Sequence, residues 1–222
     1  DYGKTWKKIT DGIPAEHFTR VVREDPQQQG LLYAGTENGM YISFNDGGSW
    51  KPFQLNLPLV PITDLYLRDN NLIVATQGRS IYIIDDLTVL HQLYTMPEDT
   101  KTFLFKPMDT YRMSGGGRSG SLTSGANHPG GVMTYFYLDD FDEKKDTVHL
   151  TYYDAKGDTI KTYSTVDGKN SLKAKKGLNE FNWDMTYDGA ERLPGMILWW
   201  ASTDGPMQIP GNYKVSLDVN GN

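Results

Sequence analysis

A short motif occurs twice in the first fifty residues, and it limits the possible folds more than any other feature of the chain. Asp1-Tyr2-Gly3-Lys4-Thr5-Trp6 and Asn45-Asp46-Gly47-Gly48-Ser49-Trp50 share the pattern Asp/Asn-x-Gly-x-Thr/Ser-Trp, and Ser43 precedes the second copy. Each position has a mechanical task. The Asp or Asn side chain bonds the backbone amides of a tight turn. The Gly takes a φ that a Cβ would oppose. The Trp folds over the hairpin and brings a large aromatic face to be buried. Asn at position 45 argues against catalysis, because a catalytic carboxylate cannot become an amide whereas a hydrogen-bond acceptor can. Asp1, Gly3, Thr5, Trp6, Ser43, Asn45, Gly47, Ser49 and Trp50 are therefore expected to build hairpins.

The copies stand about 40–45 residues apart, the length of one β-propeller blade. One blade is expected as strands over 18–25, 31–36, 40–44 and 50–54. A second is expected over 62–68, 71–76 and 80–84, aligned through Tyr33-Ala34-Gly35-Thr36 and Ile73-Val74-Ala75-Thr76. A propeller needs about four to eight blades to close, so residues 1–95 read as the last blades of a longer array. Residues 96–131 read as a connector, with one strand ending at Pro107 and glycine-rich loops at 114–121 and 125–131. From 132 to 222 apolar residues alternate with polar ones, as in Val132, Thr134, Phe136, Leu138 and again in Tyr213, Val215, Leu217, Val219. That pattern predicts an Ig-like β-sandwich. The fold class is thus all-β: a partial propeller followed by an Ig-like sandwich, with no helix expected.

Composition removes several functions. The 222 residues carry a net charge of −6, which does not suit nucleic acid. No apolar run has the length of a membrane span. The absence of cysteine excludes thiol catalysis and disulfides. His17, His91, His128 and His149 show no i, i+4 pair, so no helical zinc site is written. The chain begins inside a motif and is expected to be the C-terminal piece of a longer protein.

The residues also carry a family resemblance. The repeated motif resembles the Asp-box, or bacterial neuraminidase repeat. Val74-Ala75-Thr76-Gln77-Gly78-Arg79-Ser80-Ile81-Tyr82-Ile83-Ile84-Asp85-Asp86-Leu87 resembles the closing blade of glycosyl-hydrolase-like and sortilin-like propellers, with Gln77 and Tyr82 where those propellers carry His and Trp. Phe103-Leu104-Phe105-Lys106-Pro107-Met108-Asp109-Thr110-Tyr111-Arg112 resembles the strand that follows. Residues 177–184 and 210–215 resemble the appended Ig-like module. The resemblance implies a secreted or periplasmic parent that binds or processes a glycan, or a sortilin-like propeller that holds a peptide, with the sandwich as a spacer. A sialidase would need converging arginines and a Phe-Arg-Ile-Pro signature, which this chain lacks.

Four residues are candidate ligand contacts. Arg79 follows Gly78 in a turn, where its planar fork of donors suits an anion or a sugar; the competing reading is an ion pair with Asp85 or Asp86. Gln77 shares that turn. Trp199 and Trp200 are adjacent in a strand-like run, so one is expected in the core and the other exposed as a sugar-stacking platform or a packing contact. The carboxylates at 139–146 are expected to be a solvated hairpin loop, with calcium as the alternative. The 114–120 stretch lacks a phosphate-loop lysine, and Gly117-Arg118-Ser119-Gly120 is one residue short of a nucleophile elbow. A glycosidase needs a carboxylate pair across the scissile bond, and no spacing rule selects one here. The chain alone is expected to be catalytically inactive, without cofactor or metal. Its open blade edges are expected to self-associate or to be covered by the connector.

Overall fold

Alternating side chains and turn residues with positive φ set the architecture. The computed structural model describes residues 1–113, 129–191 and 193–221. The loops expected at 114–121 and 125–128, the Gly117–Gly120 stretch and His128 lie outside the described residues. The chain divides into two units, Asp1–Met96 and Pro97–Asn222. Among the described residues every β-ladder is antiparallel, so the protein is all-β apart from one short helix. No helix of the described residues is long and apolar enough to cross a membrane.

In the first unit β1 (Thr19–Glu24), β2 (Leu32–Thr36), β3 (Gly39–Ser43) and β4 (Lys51–Pro52) form a four-stranded meander. β5 (Ile62–Arg68), β6 (Asn71–Thr76) and β7 (Ile81–Ile84) form a second sheet of three. β2 and β3 are buried along their whole length because both faces of their sheet are covered. On one face Val21, Leu31, Tyr33, Met40 and Ile42 share a core with Ile62, Leu65, Leu72 and Val74 of the second sheet. On the other, Leu32, Ala34 and Tyr41 pack with Trp50 and Ile13. Burying each of these aliphatic side chains contributes roughly 1.5–3 kcal/mol. The sheets meet closely at Gly35, where a Cβ would stand 2.6 Å from Ile62 Cγ2.

The two sheets repeat one another residue by residue. β1 and β2 pair Thr19 with Thr36 and then Val21 with Gly35, across a bulge. β5 and β6 pair Ile62 with Thr76 and then Asp64 with Ala75, across the same bulge. Thr36 Oγ1 donates to the carbonyl of Gly39 at 2.9 Å, and Thr76 Oγ1 does so to Ser80 at 2.6 Å. Gly39 and Ser80 both have positive φ. Tyr33 therefore corresponds to Ile73, Met40 to Ile81 and Ile42 to Ile83.

A six-residue helix, α1 (Thr88–Leu93), follows the second sheet, contrary to the expectation of no helix. It has no side-chain N-cap, no acidic first turn and no buried residue, so it leaves no sequence signal. Its anchor is tertiary and is described below.

The second unit holds two three-stranded sheets with a common core. β9 (Val132–Leu138), β10 (Val148–Tyr153), β11 (Thr159–Ser164), β12 (Gly177–Trp183) and β13 (Lys214–Val219) join β8 (Thr102–Leu104) in the orders β11-β10-β13 and β12-β9-β8. Phe136, Leu138, Val148, Leu150, Tyr152, Ile160, Tyr163 and Trp183 fill the core. Trp183 stacks on Tyr152 at 4.3 Å, and the Tyr152 hydroxyl lies 2.8 Å from Thr134 Oγ1. β8 was expected as part of a connector. It is instead an edge strand of this unit, with Phe103 opposite Tyr137 and the Phe105 amide donating to Tyr135 O at 3.0 Å. Pro107 ends it because proline cannot continue the ladder.

Candidate functional site

The repeated motif forms two turns of the same kind. Tyr2 and Gly3 in the first, and Asp46 and Gly47 in the second, are consecutive residues with positive φ. Asp1 Oδ1 accepts from the amides of Gly3 and Lys4 at 3.0 and 3.1 Å, and Oδ2 from the amide and hydroxyl of Thr5. In the second copy Asn45 Oδ1 accepts from the Ser49 amide at 2.8 Å and from the Ser43 hydroxyl at 3.0 Å. Ser43 Oγ in turn accepts from the Gly47 amide at 3.0 Å. These acceptors are thereby engaged in their own turns.

The two tryptophans differ. Trp6 is exposed and donates locally to Gly3 O. Trp50 is buried; its Nε1 donates to Ile9 O at 2.7 Å and its amide to Asp11 O at 2.8 Å. Gly12 lets the two segments meet, since a Cβ there would fall 2.1 Å from Trp50 O. Trp50 thus ties residues 9–13 across its sheet.

Gln77 and Arg79 share the exposed turn between β6 and β7, with Gly78 and Ser80 at positive φ. The Gln77 amide donates to Pro61 O at 2.9 Å. Arg79 forms no ion pair among the described residues. The expected partner Asp86 is engaged elsewhere, its Oδ1 accepting from Asn70 Nδ2 at 2.9 Å and from the Thr88 amide at 2.8 Å. Arg79 is consequently a free cation at the surface, among the described residues.

Trp199 and Trp200 lie in the second unit on a projecting arm between β12 and β13. The stem is a ribbon of irregular pairing. The Gln208 amide donates to Met185 O at 2.7 Å, Thr186 bridges Met207, the Tyr187 amide donates to Pro206 O at 3.1 Å, and the Ala190 amide to Thr203 O at 2.9 Å. Gly205 permits this approach, as a Cβ there would meet Tyr187 O at 2.0 Å. The run expected as a strand has no ladder partner, so the alternation argument does not apply to it. Trp199 and Trp200 are both exposed, at 86% and 98%, and the expectation that one enters the core is corrected. Leu193, Met196 and Ile197 are exposed beside them in sequence. Residues 193–203 contain no charged side chain.

The base of the arm walls an open groove of about 770 Å³. Its polar lining includes Lys161, Asn170, Asp184, Asp188, Glu191 and Asp204, and Tyr187 adds a half-exposed ring. Asn170 Nδ2 donates to Asp188 Oδ1 at 3.0 Å, and Lys169 Nζ is 3.8 Å from Asp188 Oδ2. Asp184 Oδ1 accepts from Thr186 N and Oγ1 at 3.0 and 2.7 Å. Beneath the groove, burial first and then Asp184 and Asp188 push the Tyr163 phenol well above its ordinary value.

One polar cluster has no local sequence signature. Asp25, buried in the turn after β1, accepts from the amides of Gln27 and Gln28 at 2.9 and 3.1 Å. Its second oxygen meets Tyr33 OH at 3.2 Å and His91 Nε2 of α1 at 2.8 Å. Sequence reading could not find it, because its members are separated by up to 66 residues. The 139–146 loop is held by its own bonds: the Asp142 amide donates to Asp146 Oδ2 at 2.7 Å, and Asn220 Nδ2 to Asp146 Oδ1 at 2.9 Å. These two bonds, and then Lys145, hold the Asp146 carboxyl below the usual carboxylate range. Among the described residues no three His, Asp or Glu side chains are grouped to hold a metal ion.

Compared with known family models, with curated proteins and with solved structures, the chain matches none.

Proposed function

We propose that the chain is a non-catalytic, glycan-binding part of an Asp-box propeller protein, with its first unit as consecutive blades and its second as an Ig-like module. The observation that carries the binding reading is the arm. Two adjacent tryptophans stand almost fully exposed at its tip, and a groove of hydrogen-bonding side chains opens at its base. Exposed large aromatics of this kind mark interaction sites. A sugar ring offers axial C–H groups to an indole face and hydroxyls to Asn, Asp and Lys.

Charge selects among glycans. In the groove Asp184, Asp188, Glu191 and Asp204 outnumber Lys161 and Lys169. That balance repels uronic and sialic acids and suits neutral sugars, whose hydroxyls donate to carboxylates. The residue-by-residue equivalence of the two sheets supports the reading as blades.

Affinity electrophoresis of the chain in gels containing neutral or anionic polysaccharides tests the proposal, with a reducing-sugar assay alongside. Retardation by a neutral polysaccharide, without release of reducing sugar, is expected. Absence of retardation by every polysaccharide would remove the glycan reading. The uncharged run at 193–203 favours a second reading, in which the tip docks on an apolar peptide or protein surface.

A further inference from the structure

We infer that the outer face of the β5-β6-β7 sheet is a self-association surface, on which a second copy of the chain packs by the same face about a two-fold axis. The apolar centre of the face is Tyr66, Ile73, Ala75, Ile81 and Ile83, which the pairings Tyr66–Ile73–Ile83 and Ala75–Ile81 place in adjacent rows, with Asp64 at one end and Arg68, paired with Asp69 at 3.1 Å, and Asn71 at the other. Tyr66, Ile81 and Ile83 are 57%, 63% and 55% exposed. Their neighbours Leu65, Leu72 and Val74 point the other way and are buried.

The internal repeat shows what such a face does. Met40 and Ile42, the counterparts of Ile81 and Ile83, are 2% and 3% exposed, because Ile62, Leu65, Leu72 and Val74 of the next sheet cover them. The outer face therefore repeats, in register, a surface that already receives a β-sheet in this same chain. It differs at one place that matters for distance: Gly35, against which Ile62 packs, is replaced by Ala75. The added Cβ holds an incoming sheet farther away.

In this chain Trp50 and Ile13 occupy the opposite face of the first sheet, so a second copy does not add head to tail; within a closed propeller the outer face would be covered by a further blade instead. What a second copy has left to offer is its own outer face, and like faces pair about a two-fold axis. Charge fits that pairing. Arg79 and Asp85 flank the two ends of β7, and neither has an ion-pair partner among the described residues. Antiparallel apposition of two β7 strands sets each Arg79 against the partner's Asp85. Asp64, at the rim beside Ala75, is neutralised by Arg23 at 2.8 Å. The strand edges are poorer surfaces. β1 and β5 are broken by bulges, β4 has only two residues, one of them proline, and the regular edge β7 is only four residues long. A three-stranded face is small beside the ~800 Å² per partner of a standard interface, so the dimer is weak and reversible.

Sedimentation velocity of the 222-residue chain over a concentration series tests this. The weight-average mass is expected to rise from 25.0 kDa toward twice that value. Ile81→Lys/Ile83→Lys is expected to weaken association at least ~10-fold with an unchanged circular dichroism spectrum, since buried uncompensated lysines oppose pairing. Arg79→Asp weakens it and Arg79→Asp/Asp85→Arg restores it, which decides the matter even if the double lysine variant does not fold. Trp199→Ala/Trp200→Ala leaves it unchanged. A chain that stays monomeric at every concentration, association indifferent to Arg79→Asp, or association lost with the tryptophans would each overturn the inference.

Discussion

His91 Nε2 lies 2.8 Å from Asp25 Oδ2 across 66 residues of chain, and the Asp25 side chain is only 1% exposed. This contact fixes α1 to the turn after β1, and the same carboxylate also holds Tyr33 and two backbone amides. Replacing Asp25 by Ala leaves the buried Tyr33 hydroxyl and three part-buried groups without this acceptor. We expect Asp25→Ala to cost about 2–4 kcal/mol in urea unfolding, and His91→Ala about 1–2 kcal/mol because Asp25 keeps its other partners. Equal losses from the two variants would show that the carboxylate does not organise the cluster.

Gly35 lies where the two sheets of the first unit approach too closely for a Cβ. Gly35→Ala sets a Cβ against Ile62 and is expected to cost about 1–3 kcal/mol. Trimming Ile62 relieves part of the clash, Val21 Cγ1 standing 2.8 Å from the same Cβ, so Gly35→Ala/Ile62→Ala is expected to be less destabilised than the sum of the single variants by about 1 kcal/mol. Strict additivity in a double-mutant cycle would contradict the contact.

Trp50 ties down residues 9–13 through its indole N–H and its amide. Trp50→Phe removes the first bond and is expected to cost about 1 kcal/mol. Limited trypsin digestion, followed by mass spectrometry, is expected to show faster cleavage at Lys7 and Lys8. Unchanged cleavage there would mean that the indole bond does not hold the segment.

Burial pushes the phenols of Tyr33, Tyr152 and Tyr163 well above the ordinary value of 10.0. Their folded pKa values exceed the unfolded ones, so their contribution is complete below pH 10 and is lost as pH rises through and beyond it. We expect an ultraviolet titration to show these tyrosines ionising only together with loss of the near-ultraviolet circular dichroism signal. Full ionisation of all 14 tyrosines in a folded protein would contradict the burial.

The legible parts of the fold were those whose signal is local. The repeat alignment in the first unit and the period-2 alternation in the second placed strands close to where they stand, because each strand buries one face or both. The helix at 88–93 was illegible, since six residues without caps or buried positions carry no pattern. Trp199 and Trp200 were legible as unusual but not as jointly exposed: alternation orients neighbours only in a strand with a ladder partner, and the arm tip has none. The Asp25–His91 contact depends on tertiary packing that no spacing encodes.

The central claim is that the arm binds a neutral glycan. Isothermal titration of the chain with the neutral polysaccharide that retards it most, repeated with Trp199→Ala/Trp200→Ala, tests it most directly. The account predicts that loss of both indole faces lowers affinity roughly 10-fold or more, about 1.4 kcal/mol, with an unchanged thermal melt. Equal affinity in the two proteins would contradict it.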